Sequence, residues 1–175
     1  MKRSYRRPIA VMSAMLAVAI ASSPVWSSPA WADTPAADKD FATKAAQAGI
    51  AEVAEARLAL KNSTRPDIQN FARRMIADHT KAGDQLKTIA SAQGLALPGD
   101  PSPEDQQAMT KLGSLSGVDF DRAYIESQVS AHEAAVGLFK QESDQGKDAQ
   151  FRSFASSTLP TLEDHYTMIK SLPVH

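Results

Sequence analysis

The sequence of 175 residues contains no cysteine, which excludes disulfides, thiolate metal sites and thiol catalysis. It also lacks a glycine-rich phosphate loop, a dinucleotide-binding fingerprint and a Gly-x-Ser-x-Gly nucleophile elbow. No stretch alternates apolar and polar residues with a period of two, so β-strands are not expected. These absences predict an all-α protein without the motifs of the common hydrolases and nucleotide-binding enzymes.

The N-terminal segment has the pattern of an export signal. Residues 2–7 carry four basic side chains, Ile9 to Ala21 is an apolar run, and Ala30-Trp31-Ala32 places small residues at a cleavage site. This order predicts a secretory signal peptide over residues 1–32, cleaved after Ala32. The apolar run of about 13 residues is shorter than the roughly 20 that a spanning helix needs. We therefore expect an exported protein, periplasmic or extracellular, with general secretory and twin-arginine export both left open.

The charge of the remaining chain argues against nucleic acid as a partner. Removing residues 1–32 takes away four of the 19 basic residues and none of the 20 acidic ones, so the mature net charge is −5. A chain of this charge has no basic surface for nucleic acid or for an anionic membrane. It also contains no second apolar run long enough to form a transmembrane segment. A protein partner and the oligomeric state stay open.

The mature chain shows one helical domain over residues 38–172, after a loose Ala/Pro-rich segment at 33–37. Pro66 suits a first helical turn, Gly94 suits the position after a helix end, and Ser102 suits a helix cap. The pattern predicts an up-down-up-down four-helix bundle, with a short extra helix in the crossing between helices two and three. The expected long helices are 38–62, 66–93, 116–143 and 148–172, and the short one is 103–113.

Each long helix carries one polar side chain on the face that its apolar residues predict to be buried. At about 100° per residue these inward residues are Glu52, His79, His132 and His165. Counted from the intervening turns, they lie at comparable depths in the bundle. By contrast Glu55, three residues after Glu52, is expected to lie on a solvated edge. The four inward residues form a candidate polar site in the core.

Two interpretations of this site stay open. A buried polar group without a partner costs about 1–3 kcal/mol, so these groups need one another, water or an ion. Imidazole with one carboxylate favours a transition metal such as zinc, copper or iron over calcium or magnesium. In this interpretation Glu52, His79, His132 and His165 are the four ligands of one ion, a set that could close a tetrahedron around zinc. The alternative is a metal-free hydrogen-bond network. Candidates for orienting the imidazoles are Asp78, Asp121, Tyr124 and Gln128. No catalytic residue is indicated.

Four segments of the chain resemble a known family. They are FATKAAQAGIAEV on helix one, FARRMIADHTKA on helix two, LSGVDFDRAYIESQVSAH on helix three and LPTLEDH on helix four. Together they resemble the exported bacterial proteins grouped as domain of unknown function 4142, over roughly residues 38–172. The resemblance implies a ferritin-like bundle, places the motif histidines at His79, His132 and His165, and places the helix-one glutamate at Glu52. It implies no activity.

The wider ferritin-like group often binds two irons through Glu-x-x-His pairs, and this sequence departs from that pattern. The residues three before the histidines are Ile76, Val129 and Leu162, which disfavours a diiron oxidase. The sequence therefore favours a non-catalytic binding or envelope stress-associated protein with a His/Glu mononuclear metal site. A structural or interaction module with a metal-free core is the first alternative, and a metal-dependent oxidoreductase is the second.

Overall fold

A computed structural model describes residues 34–173, and the predicted signal peptide lies outside these residues. Within them the chain forms five α-helices and no strand, which confirms the all-α bundle. The helices are α1 (Ala36–Asn62), α2 (Pro66–Ala92), α3 (Pro103–Gly113), α4 (Gly117–Gln145) and α5 (Ala149–Ser171). None of these described helices is long and apolar enough to cross a membrane.

The helix ends follow from local sequence signals. Pro66 occupies the first turn of α2, where its missing N–H has no intrahelical partner to lose. Gly94 follows the end of α2 with φ of +67°, a left-handed conformation that glycine adopts without a Cβ penalty. The side chain of Ser102 accepts a hydrogen bond from the amide of Asp105 at the start of α3, and Asp148 caps α5 in the same way.

The start of α1 differs from the expectation of a loose segment at 33–37. Helix α1 begins at Ala36, and the Thr34 hydroxyl donates a 2.7 Å hydrogen bond to the side-chain oxygen of Gln93. The carboxylate of Asp38, which is fully buried, accepts hydrogen bonds from the amides of Lys147 and Asp148. These contacts fix the beginning of α1 against the end of α2 and against the turn between α4 and α5.

The direction of the long helices is set by one long connection. The end of α1, the start of α2, the start of α4 and the end of α5 share one hydrophobic cluster, and the opposite ends share another. Helices α1 and α5 therefore run one way, and α2 and α4 run the other. The up-down-up-down prediction holds for α1 and α2, which run antiparallel, and for α4 and α5, which also run antiparallel. It is wrong for α2 and α4, which run parallel. Residues 93–116, including α3, cross the length of the bundle, as in ferritin-like folds.

The core has two apolar ends and a polar middle. Phe71, Phe120 and Tyr124 pack in the cluster at one end, and Phe41, Phe139 and Phe151 pack in the cluster at the other. Their rings meet largely edge to face, with centroids 5.1 Å apart for Phe41 and Phe139. The inward polar residues occupy the layer between these two clusters.

Candidate metal centre

The four inward polar residues predicted from helical periodicity are all buried. Glu52 is 4% exposed and His79 is 7% exposed, whereas His132 and His165 are fully enclosed. Each comes from a different long helix, in the order α1, α2, α4 and α5. For these four residues the helical period thus predicted the inward direction correctly.

Helix lengths bring these residues to one level. Glu52 lies ten residues before the end of α1 at Asn62, and His79 lies 13 after the start of α2 at Pro66. His132 lies 13 residues before the end of α4, and His165 lies 16 after the start of α5. A difference of three residues is only about 5 Å along a helix. The side chains can therefore meet across the centre of the bundle.

The three imidazoles form one compact cluster. A ring nitrogen from each of His79, His132 and His165 lies within 4.8 Å of those of the other two. The ring centroids are 5.3 to 5.8 Å apart. Phe71 packs edge to face on both His132 and His165, with centroids 6.2 and 6.1 Å away. Phe71 belongs to the hydrophobic cluster at the ends of α1 and α5, so the three imidazoles have an apolar wall on that side.

One nitrogen of each imidazole is held by a protein oxygen. His79 Nδ1 lies 2.9 Å from Glu52 Oε2, and His165 Nε2 lies 2.9 Å from Asp78 Oδ2. His132 Nδ1 lies 2.9 Å from the backbone oxygen of Gln128, one turn earlier in α4. Carboxylate and carbonyl oxygens accept, so each of these ring nitrogens carries the donated proton in the neutral imidazole. The contacts thereby select a tautomer for every ring.

The second nitrogen of each imidazole is buried and has no hydrogen-bond partner among the described residues. These atoms are His79 Nε2, His132 Nε2 and His165 Nδ1. In the neutral tautomers selected above, each of them carries a free lone pair. Three such nitrogens, one from each of three helices, therefore lie in one buried layer. Imidazole nitrogens of this kind can serve as metal ligands, with the outer oxygens orienting the rings.

The electrostatic environment keeps two of the three imidazoles neutral. Burial lowers the pKa of His165 to about 4, although the hydrogen bond that His165 donates to Asp78 opposes this shift, and burial also lowers the pKa of His132. For His79, burial opposes protonation, but the charge and hydrogen bond of Glu52 outweigh it and raise the pKa. Burial likewise opposes ionisation of Glu52, and attraction to His79 outweighs it, so the pKa of Glu52 is lowered. Glu52 and His79 thus stabilise each other's charged forms.

The residues predicted to orient the imidazoles differ in what they contact. Asp78 bonds His165 and also accepts from Arg74 Nε at 3.3 Å, so it links the cluster to the surface. Gln128 contacts His132 only through its backbone oxygen. The Tyr124 hydroxyl and Asp121 Oδ1 are buried and have no partner among residues 34–173. The structure therefore brings Asp78 and Gln128 to the imidazoles but shows no such hydrogen bond for Asp121 or Tyr124.

Glu55 is a residue that sequence reasoning misplaced. It was expected on a solvated edge, but it is 6% exposed. Its Oε2 accepts from Ser127 Oγ at 2.9 Å and from Gln128 Nε2 at 2.8 Å, both on α4. Burial raises its pKa despite these hydrogen bonds. Its burial comes from the close approach of α4 to α1, which the periodicity of α1 alone does not contain.

Comparison with known proteins places the chain in a family. The model of the family described as "Domain of unknown function (DUF4142)" matches residues 24–172. The chain belongs to this family. The match confirms the resemblance carried by the four sequence segments. No curated protein matches the sequence.

Two solved structures from another family share the DUF4142 chain's fold. A DUF305 protein from Streptomyces coelicolor has a TM-score of 0.65 at 14% identity, over 76% of this chain and 89% of that one. A DUF305 fragment from Deinococcus radiodurans has a TM-score of 0.69 at 16% identity, over 78% and 95% respectively. At these identities the similarity concerns the helical fold alone.

Proposed function

We propose that this protein is an exported metal-binding protein in which His79, His132 and His165 hold one transition-metal ion at the centre of the bundle. One observation carries the proposal: each imidazole has one nitrogen engaged by an oxygen and the other buried without a partner. One nitrogen from each ring falls in a single group within 4.8 Å. An ion bound by the three unpartnered nitrogens would satisfy all three free lone pairs together.

The cost of burying three nitrogens without partners favours an occupied site. A buried acceptor that neither water nor an ion contacts costs about 1–3 kcal/mol, so three such nitrogens would cost on the order of 3–9 kcal/mol. That is comparable with the roughly 5–15 kcal/mol by which a whole domain is stable. A fold that leaves three imidazoles in this state therefore gains strongly from a ligand that accepts their lone pairs.

The donor set indicates the kind of metal. Neutral imidazoles suit zinc, copper and iron, whereas calcium and magnesium prefer oxygen. In a tetrahedral zinc site with bonds of about 2.0–2.1 Å, ligand nitrogens lie roughly 3.3 Å apart. One ring nitrogen from each histidine lies within 4.8 Å of those of the other two, so the rings would have to draw closer together to hold an ion. The bundle places the three rings within reach of one common ion.

Glu52 has a different role in this proposal from that of a fourth ligand. It approaches His79 and His132 from their Nδ1 sides, at 2.9 and 3.8 Å, whereas the free atoms of both rings are Nε2. Glu52 thus orients His79, as Asp78 orients His165. These two carboxylates also supply the two negative charges that balance a divalent ion. The fourth coordination position is left to water or another ligand.

A metal-free polar core is the second candidate. The Glu52–His79 pair favours it, because the two groups are already paired at 2.9 Å and stabilise each other's charges. Under this alternative, buried water would bridge the remaining nitrogens and the function would reside on the surface. A metal-dependent oxidoreductase would need a redox metal, whereas the imidazole donors fit zinc as well as copper or iron, so metal binding is the function proposed.

Two observations support export. The first 32 residues have the order of a secretory signal, and they precede the described domain. The Streptomyces neighbour is itself described as a candidate secreted protein. Both periplasmic and extracellular destinations fit these observations.

The test is metal content. The protein is exported from an expression host, purified without an affinity tag and analysed by elemental mass spectrometry, before and after incubation with zinc, copper or iron. We expect close to one equivalent of one of these metals. The variant His132→Ala is expected to lose it while retaining its helical circular dichroism.

His175 provides a matched control, because it is the fourth histidine of the chain and is not one of the three proposed ligands. The His175→Ala variant should bind as much metal as the parent. Binding that survives His132→Ala but disappears with His175→Ala would contradict the central site. No metal in the parent after incubation would leave the metal-free core as the explanation.

A further inference from the structure

Two buried carboxyl groups, Asp38 and Glu142, meet at the end of the bundle where α1 begins and α4 ends. Asp38 is fully buried and Glu142 is 5% exposed. Their side chains face each other closely enough to share a hydrogen bond. Asp38 precedes Glu52 by 14 residues and Glu142 follows His132 by ten, so the pair lies roughly 15–21 Å along the helices from the histidine layer. The pair is therefore separate from the proposed metal site.

The two carboxyl groups cannot satisfy each other while both are ionised. Asp38 Oδ1 accepts from the amide of Lys147 at 2.9 Å, and Asp38 Oδ2 accepts from the amide of Asp148 at 3.3 Å. Glu142 Oε1 is buried, and no N–H or O–H donor among residues 34–173 reaches it. Ionised carboxylates only accept, so a hydrogen bond between the two groups needs a proton on one of them. Since Asp38 already faces two donors, the proton belongs on Glu142.

The turn after α4 holds the Glu142 side chain in this position. The amide of Gly146 donates to the backbone oxygen of Glu142 at 2.9 Å, where the helix ends. A Cβ atom at position 146 would overlap Oε1 and Cδ of Glu142. The carboxyl group therefore lies directly against the backbone of the turn, in space that glycine leaves open.

The groups around Glu142 favour its protonated form. Asp38 on α1 and Asp148 at the start of α5 repel a negative charge on Glu142, whereas Arg152 on α5 attracts it. Arg152 Nη1, however, donates to two backbone oxygens of the turn between α4 and α5. From the end of α2 the neighbouring side chain is Gln93, which is uncharged and donates to Asp148 at 3.0 Å. Burial, followed by the hydrogen bond and the charge of Asp38, raises the pKa of Glu142 to about 7.

We propose that Glu142 and Asp38 form a proton-operated latch, in which one shared proton fastens the first turns of α1 to the turn between α4 and α5. While Glu142 holds the proton, Asp38 keeps both amide hydrogen bonds and the start of α1 stays in place. Loss of the proton leaves two negative charges side by side in a buried position, which is unfavourable. Movement of the start of α1 into water separates these charges, so neutral to mildly alkaline pH releases this end of the helix.

The released segment also forms part of the wall of a large cavity. The cavity has a volume of about 1210 Å³ and is lined by Lys44 and Ala45 on α1 and by Phe139 and Phe154 on the facing helices. Phe41, at the start of α1, packs edge to face on Phe139 with ring centroids 5.1 Å apart. Loosening of the first turns of α1 would draw Phe41 away from this wall. The latch would thus make access to the cavity at this end dependent on pH.

The test is hydrogen exchange measured by mass spectrometry on the purified protein at about pH 5.5 and about pH 8, with rates corrected for the intrinsic pH dependence of exchange. We expect the equilibrium for local opening of residues 36–45 to rise about tenfold or more at the higher pH. The reason is that Glu142 loses its proton near its ordinary pKa of 4.5 in the open state but only near 7 in the closed state. Residues 66–79, which begin α2 at the other end of the bundle, should change much less.

Two glutamine variants of α4 identify the group that responds to pH. Glu142→Gln keeps a hydrogen-bond donor for Asp38 but cannot ionise, so residues 36–45 should stay protected at both pH values. Glu133→Gln is the matched control, because Glu133 is an exposed glutamate of the same helix. This control should open with pH as the parent does. Helical circular dichroism checks that both variants are folded.

Several results would overturn the latch. Exchange of residues 36–45 that is independent of pH in the parent contradicts it directly. The same pH dependence in Glu142→Gln as in the parent assigns the effect to another group. An equal rise in residues 66–79 indicates general destabilisation and not release of one helix end. Protection that calcium restores at the higher pH would mean that a cation, and not a proton, joins the two carboxyl groups.

Discussion

The substitution His132→Leu distinguishes a metal site from a metal-free core by whether it raises or lowers the stability of the metal-free protein. His132 is fully buried, its Nε2 has no partner among the described residues, and Phe71 lies against its ring. Leucine removes the unpartnered nitrogen and places apolar atoms against an apolar neighbour. The backbone oxygen of Gln128 loses the ring donor, but it keeps its helical bond within α4.

The size of the effect follows from these contacts. Removing an unpartnered buried nitrogen stabilises the folded protein by about 1–3 kcal/mol, whereas losing one hydrogen bond destabilises it by about 0.5–1.5 kcal/mol. We therefore expect metal-free His132→Leu to be as stable as the parent or more stable, by roughly 0–2 kcal/mol. With free metal at about 100 times the dissociation constant, the parent should gain about 2.7 kcal/mol. The variant, with two imidazoles left, should gain much less.

The assay is thermal unfolding followed by circular dichroism, with and without zinc and with a chelator as reference. A gain of 2.7 kcal/mol corresponds to a rise in Tm on the order of 8 °C for a domain of this size. The parent should show this rise, and the variant should begin at an equal or higher Tm and respond little. A metal-free variant less stable than the parent by more than about 1 kcal/mol would show that protein or water already satisfies the nitrogen. That result would refute the reasoning.

Three further predictions concern other parts of the bundle. Asp78→Ala should lower the metal affinity about 10–100-fold in a chelator competition, because the Asp78 carboxylate orients the ring of His165. Asp164→Ala is the control, because it removes only an exposed partner of Arg74 and should leave the affinity unchanged. Burial and the hydrogen bond with Asp38 raise the pKa of Glu142 to about 7. The folded protein therefore binds the proton more tightly than the unfolded chain, and its stability should fall on the order of 1–3 kcal/mol as pH rises from about 4.5 to 7. This contribution should be absent in Glu142→Gln when urea unfolding is measured across that range, and an unchanged slope would contradict the assignment. Gly94→Ala should lower the free energy of unfolding by about 1–2 kcal/mol, because φ is +67° there, and an unchanged urea midpoint would argue against this strain.

The sequence determined the secondary structure and the inward faces. Pro66, Gly94 and Ser102 mark helix ends by conformational preferences that act within a few residues of the chain. The inward direction of His132 and His165 follows from the fixed rotation per residue of a helix, which is also local. Such features need no knowledge of the rest of the fold.

Only the tertiary structure decided how the inward residues meet. Glu52 and His132 both face the core, but whether Glu52 contacts Nδ1 or Nε2 of a ring depends on side-chain rotamers and on how far each helix slides along its neighbour. The burial of Glu55 and the parallel course of α2 and α4 likewise depend on distant parts of the chain. Helical periodicity fixes an angle about one axis, whereas a binding site is fixed by the relative positions of four axes.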